Sequence, residues 1–365
     1  MTTKTLLIAG LLLTAGSSVA QAQQTKLLTA EKHNEYGLVY TLPKTVFEIE
    51  VTATREVRKA GPYYQYAKKY MGTDKVIKDD AEIWTLQSVR MRPYGVPDTQ
   101  YRYLMQLKAG ALTYIGVDED GMLLTINCNP ETPEGSLKPA PKVREGEQLK
   151  DREYLQYVDE DFIASQSTAK QAQMLAENLM EIRESKLALT RGTADNMPTD
   201  GRQLEIMLNS LAHQEAALSA AFLGNATKET VTRSFTFTPD EEGRSVLFRM
   251  SDFAGFVDAE DYSGDPVYVN VAVTSRGELP VDAKGETKRL PKDAVAYCVP
   301  GAAEITLSFK GKELSSGEYE IAQYGVVFGL DPGLFTDKKA PSYAVFDSAT
   351  GALKEIGVRK DSPAE

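Results

Sequence analysis

Five carboxylates, Asp252, Asp258, Glu260, Asp261 and Asp265, crowd around Gly255 and Gly264. Oxygen-rich loops of this kind hold Ca²⁺, and carboxylate pairs hydrolyse glycosidic bonds. Asp258, Glu260, Asp261 and Asp265 are therefore the candidate metal ligands. Their spacing departs from the Asp-x-Asp-x-Asp-Gly pattern of a calcium loop, so a solvated loop is the reading adopted: no cofactor is expected, with Ca²⁺ as the alternative. The chain has only two histidines, His33 and His213, too few for a His-rich metal site, and His213 falls on a helix face. It carries no Gly-x-Ser-x-Gly elbow, Cys-x-x-Cys or His-Glu-x-x-His. Tyrosine is abundant, 18 against one tryptophan. Tyr63, Tyr64, Tyr66 and Tyr70 crowd one turn, and rings with a polar tip suit sugar or protein surfaces. The competing reading is that they fill half-exposed strand faces.

Composition narrows the partners. The 365 residues carry a formal net charge of −11, and an acidic surface repels phosphate backbones and anionic lipid, which argues against nucleic acid. Lys4, the apolar run Leu6 to Leu13 and the Ala20-Gln21-Ala22 cleavage pattern read as a signal peptide over residues 1–22. The expectation is an exported, periplasmic protein with no transmembrane segment after cleavage. With no cysteine at the cleavage site, it is not a lipoprotein. An oxidising compartment permits a bridge between Cys128 and Cys298. Two buried free thiols are the favoured alternative.

The elements that must position these residues follow from periodicity. From Ser167 to Gly224 apolar residues return at three- and four-residue steps, Leu175, Leu179 and Ile182 in one run, Leu204, Leu208 and Leu211 in the next. This predicts two antiparallel helices, opened by Thr168-x-x-Gln171 and Asp200-x-x-Gln203 and closed by Gly192 and Gly224. Lys186 and Glu215 interrupt the stripes, and packing of the pair on the sheets is preferred to projection. On both sides alternating residues predict strands, for example Phe47, Ile49 and Val51 on a dry face with Glu48, Glu50 and Thr52 on a wet one. The fold class is α+β: two mainly antiparallel β modules with a two-helix antiparallel hairpin between them. The divisions are a flexible N-terminus over 23–36, β module 1 over 37–130, a linker over 131–150, the helical hairpin over 151–227 and β module 2 over 228–360.

The modules look duplicated. Gly110 to Val117 matches Gly351 to Val358 at six of eight positions, Tyr40-Thr41-Leu42-Pro43 resembles Tyr297-Cys298-Val299-Pro300, and Gly61-Pro62-Tyr63 parallels Gly317-Glu318-Tyr319. The alternative is convergence, since a glycine opening a hairpin before a short apolar strand is common.

Tyr40 to Thr45, Gly61 to Ala67, Ser263 to Tyr268 and Ile321 to Gly325 together resemble an uncharacterised family of exported Bacteroidetes envelope proteins. The resemblance implies a Gram-negative envelope address and supplies no activity or functional residues. With that address goes O-glycosylation at Asp-Ser/Thr before a small residue, which Asp347-Ser348-Ala349 fits. Asp347 starting a turn is the plainer reading. The function expected is a non-catalytic periplasmic protein that binds or organises a protein or glycan of the envelope. The alternatives are a carboxylate-based hydrolase and a glycan-binding accessory protein.

Overall fold

The computed structural model describes residues 24–27, 37–106, 114–130, 136–138, 140–281, 283–287, 294–335 and 341–358. The expected leader, His33, Gly110 to Thr113 and part of the linker lie outside them. The fold is α+β, with three antiparallel sheets and a two-helix hairpin. The first sheet contains β1 (Gln24–Leu27), β2 (Leu38–Lys59), β3 (Ala81–Gln106), β6 (Arg144–Glu145) and β7 (Asn225–Phe237), in the order β1-β3-β2-β7-β6. The second contains β8 (Gly243–Ser251), β9 (Gly255–Val257), β10 (Asp265–Ser275), β11 (Val295–Phe309) and β12 (Lys312–Leu330), in the order β12-β11-β10-β8-β9. The third joins β4 (Ile115–Val117), β5 (Leu123–Ile126), β13 (Ser342–Phe346) and β14 (Leu353–Val358), in the order β14-β13-β5-β4.

Strand membership crosses the helical hairpin, which sequence patterns do not show. β7, beyond the hairpin, pairs with β2 from Phe47↔Phe237 to Lys59↔Asn225. The first two sheets bury one shared core, in which Phe47, Ile49 and Val51 meet Val267, Val269, Ile305 and Leu307. The third sheet closes one end over Tyr40, Leu42, Met105 and Val295. Gln24–Leu27, expected to be loose, pairs with the edge of β3. β3 itself runs unbroken through Pro93 and Pro97. Its outer neighbour β1 covers only Tyr103–Gln106, so the prolines' missing N–H groups leave no ladder bond unmade on that open edge.

The face of β2 expected to be wet is covered. Glu50 is 2% exposed and pairs with Arg90 on the neighbouring strand, and Glu48 pairs with Arg92 at 3.2 Å. Leu137 N–H also donates to Glu48. Opposite charges facing one another across antiparallel strands satisfy the carboxylates once water is excluded.

Two long strands, β2 and β11, behave alike. β2 pairs with β3 along most of its length but with β7 only from Phe47 onward, and its register breaks at Pro43. β11 likewise pairs along most of its length with β12, meets β10 only from Ala302 onward, and breaks at Pro300. Before each proline the strand turns to the third sheet. Thr41 N–H donates to Gly121 C=O and Cys298 N–H to Gly351 C=O, both at 3.0 Å. Gly121 and Gly351 each have φ in the left-handed region, +80° and +71°. Asp118 and Asp347 open the two turns, each accepting backbone N–H bonds on Oδ1. Tyr40–Pro43 and Tyr297–Pro300 are thus matching segments, and Gly351 takes the place that Gly121 takes; Gly110 lies outside the described residues. The Gly61/Gly317 parallel fails, because Gly61 lies in a turn and Gly317 inside β12.

Tyr40 fastens the two halves. Its side chain is fully buried, and its hydroxyl accepts from Ala296 N–H at 2.9 Å and donates to Ala296 C=O at 3.3 Å. There β11 has no β10 neighbour, so the phenol occupies the place of a strand. Tyr40→Phe is expected to lower unfolding free energy by about 1–3 kcal/mol. Urea denaturation would register this as a lower midpoint with an unchanged slope; an unchanged midpoint would show that the bridge carries no net stability.

Candidate functional site

After two short helices, α1 (Ala67–Tyr70) and α2 (Glu160–Ala164), the hairpin comprises α3 (Thr168–Arg191) and α4 (Gly201–Leu223), in the predicted places. Ser167, not Thr168, is the N-cap of α3, accepting from Lys170 N–H. Asp200 caps α4, and Gly192 ends α3 in the left-handed conformation. Lys186 and Glu215, which break the apolar stripes, face each other: Glu215 accepts from Lys186 at 3.0 Å and Arg183 at 2.8 Å. The foot of the hairpin is buried through Ala172, Leu175, Leu179, Leu218 and Phe222, and toward its tip Leu189 is buried as well. The foot's packing partner is the tyrosine turn and the segment around Tyr154 and Phe162 rather than a sheet face. Ile206, farther out, is 60% exposed.

Close backbone approach makes this foot possible. A Cβ on Gly61 would meet the carbonyl oxygens of Ala221 and Ala220 at 2.5 and 2.6 Å, so glycine lets the turn lie directly on α4. Tyr63 N–H then donates to Ala221 C=O at 2.9 Å. Of the candidate binding tyrosines, Tyr63 is buried, its ring against Tyr154, Phe162 and Phe222 and its hydroxyl on Gln171. Burial pushes the Tyr63 hydroxyl up to about 12. Tyr66 and Tyr70 pack against the same core. Tyr64 alone of the four lines an open cavity.

That cavity, about 390 Å³, lies between the end of β2, the tyrosine turn, residues 149–154 and the last turns of α4. Pro62, Tyr64, Leu149, Ala217, Ala220 and Ala221 form its apolar wall. Lys59, Lys150, Asp151, Arg152 and Glu153 supply charge. Its volume falls within the range of small-molecule sites. A second recess of about 250 Å³, where the sheets meet near Pro43 and Tyr101, has much of its polar lining engaged. There Lys44 pairs with Asp240 at 2.6 Å, and the Gln323 amide bonds both backbone groups of Thr45.

His213, read from the sequence as a plain helix-face residue, is a clasp beside the cavity that holds Glu153 of its lining. Its Nδ1 lies 2.7 Å from Glu147 Oε1 and its Nε2 2.8 Å from Glu153 Oε1. Glu153 Oε2 accepts from Lys150 N–H at 2.7 Å. The hydrogen bonds to Glu147 and then Glu153 raise the imidazole above its ordinary value. Glu153 is held below its own, first by the Lys150 N–H and then by His213. No local signal joins residues 66 and 60 positions apart.

The other candidates do not converge. Asp258 is 86% exposed, 3.9 Å from Arg233, while Asp252 and Asp265 both pair with Lys310. Asp261 accepts from Ser263 N–H, and Glu260 is exposed. Among the described residues no three His, Cys, Asp or Glu side chains gather as a metal-binding group. Ser348 is half-buried in a turn whose backbone lies against Gly95: a Cβ there would meet Ser348 C=O at 2.0 Å. Asp347 is occupied starting that turn and pairing with Lys354. Cys128 and Cys298 are not joined in a disulfide, and burial raises Cys298 to about 12, leaving it protonated. Among the described residues no helix is long and apolar enough to cross a membrane.

A family model described as a domain of unknown function (DUF4831) matches residues 36–354. No curated protein and no solved structure matches the chain.

The clasp has a definite pH signature. His213 binds its proton more tightly folded than unfolded, so its contribution is complete below the ordinary value of 6.5 and drains as pH rises through the raised folded value. The Glu153 contribution is present above its ordinary 4.5 and drains as pH falls through its lowered folded value. The stability difference between wild type and His213→Gln is therefore expected to be largest between those two ordinary values and to shrink toward alkaline pH. Urea midpoints across pH 5 to about 9 would check this, and a pH-independent difference would rule the clasp out.

Proposed function

The chain belongs to the DUF4831 family, and from that premise we propose a protein that works by binding rather than catalysis. It is exported to the cell envelope, in the periplasm of a Gram-negative host, and holds an envelope-derived ligand in the cleft at the hairpin foot. One observation carries this reading: a cleft of about 390 Å³ with an alanine-rich wall and a charged rim, lined by no serine, cysteine or histidine. Glu153, whose side chain could serve as acid or base, has one oxygen on His213 and the other on a backbone N–H. It fits a structural anchor better than a proton carrier, because a general base needs an oxygen within reach of substrate. The hydrolase alternative has less support, since its carboxylates at Asp258 and Glu260 lie exposed on a surface loop. The acidic net charge of −11 agrees with a partner that is not nucleic acid. Residues 1–22, read as a leader, support export.

Filling the cleft tests the reading. Ala220→Trp should keep the circular dichroism spectrum while weakening binding of responsive members of a defined panel of short acyl acids, hexuronates and dipeptides at least tenfold. Thermal shift followed by calorimetry would measure this, and a panel whose hits bind the filled variant unchanged would place the site elsewhere. Export is checked separately: the full chain should fractionate with the periplasm, and a chain lacking residues 1–22 should stay in the cytoplasm.

A further inference from the structure

Resting on the reading of the cleft as the ligand site, we propose that it selects an amphipathic oxyanion, a carboxylate or phosphate monoester on a short apolar body. The anionic group lies at Lys150 and Arg152, and the apolar body lies along Ala217, Ala220 and Ala221. The charges lining the cleft divide into those already engaged and those that are not. Lys59 pairs with Asp80 at 2.8 Å and also feels the charge of Asp151. Glu153 is taken up by His213 and the Lys150 backbone. Among the described residues, Lys150 Nζ and the Arg152 guanidinium make no ion pair. Glu153 feels the charge of Lys150, and Asp151, which lies between the two cations, likewise makes no ion pair among the described residues. Lys150 and Arg152 against Asp151 (2 − 1) thus leave one net positive charge at the mouth of a cleft in a protein of net charge −11. Such a local reversal of sign focuses an anion where the surrounding surface repels it.

The backbone supports the assignment. Arg152 adopts φ 50° and ψ 35°, a left-handed conformation uncommon for a non-glycine residue. A short 3-10 turn over Glu153–Tyr157 follows it, with Leu155 N–H donating to Arg152 C=O at 3.0 Å. The Glu153 side chain closes back on Lys150 N–H, and the His213 clasp holds Glu153 to α4. The two cations therefore sit on a segment fixed to the same helix that supplies the apolar wall. Distance between head and tail of the ligand is set by the fold, not by a mobile loop tip. Strained residues of this kind persist where the surrounding structure determines them and concentrate at ligand clamps. Arginine also offers a planar fork that matches carboxylate and phosphate oxygens in pairs.

Calorimetry with hexanoate, hexyl phosphate and neutral hexanol tests the selection on the full mature chain. The variants are Lys150→Gln with Arg152→Asn, Arg152→Lys, and Ala220→Trp. Asparagine tolerates the left-handed backbone, so the double variant removes charge without breaking the turn. Wild type should bind at least one anion tenfold or more tighter than hexanol, and the preferred anion tells carboxylate from phosphate. The double variant should lose that preference, Arg152→Lys should keep part of it, and raising salt should erode it. Equal binding of all three probes, abolished by Ala220→Trp, would overturn the anion selection while leaving the cleft as the site. Anion preference that survives both the double variant and Ala220→Trp would overturn the inference and the cleft together. Absence of heat with all three probes would overturn the selection.

Discussion

A single phenol does the work of a missing strand. Where β11 leaves β10, Ala296 would turn both backbone polar groups toward a dry interior, and the Tyr40 hydroxyl satisfies them from the other half of the chain. An unpaired buried backbone group costs as much as the bond it lacks, so the two long hairpins can kink toward the third sheet only if something fills that gap. The third sheet supplies part of the answer through the Gly121 and Gly351 carbonyls. Tyr40 supplies the rest. Because these contacts join positions 256 residues apart, neither half completes its core alone.

That constraint accounts for the shared architecture of the cores. β2 and β11 each serve two sheets, one on either side of a proline kink, and each brings apolar residues to two cores. Phe47, Ile49 and Val51 go to the sandwich, and Tyr40 and Leu42 to the capped end. The hairpin stands apart from this. It is anchored at its foot by a third core of aromatic and alanine side chains, while residues farther along it, such as Leu187 and Ile206, stay exposed. Elements with few buried apolar contacts open at lower free energy than the rest of a fold, so the outer hairpin is expected to open before its foot. The cleft lies at the junction of the restrained and the unrestrained parts.

Charge is handled differently in the two regions. On β2 the carboxylates of Glu48 and Glu50 are drawn out of water and answered by arginines on the next strand, which serves the sheet and leaves nothing over for a ligand. At the hairpin foot the balance is incomplete. Glu147 and Glu153 share one imidazole, and the segment they hold carries Lys150 and Arg152 to the cleft with Asp151 between them.

Local rules written in the sequence determined a good deal. The 3.6-residue period, Asp200, Gly192 and Gly224 defined the hairpin almost to the residue, and the alternation in β2 identified its inner face. Tyr40–Pro43 and Tyr297–Pro300 were recognisable as partners because the same backbone event, a kink after an aromatic clasp or its counterpart, demands similar residues. The like places of Gly121 and Gly351 share no local string, because they are set by hydrogen bonds from Thr41 and Cys298. Pairing of β7 with β2, burial of the tyrosine turn beneath α4 and capture of His213 by two glutamates depend on contacts between distant positions. Sequence periodicity reports which side of an element is apolar; it carries no information on which distant element covers that side. The cleft belongs wholly to that second kind of fact, and only the tertiary structure decided it.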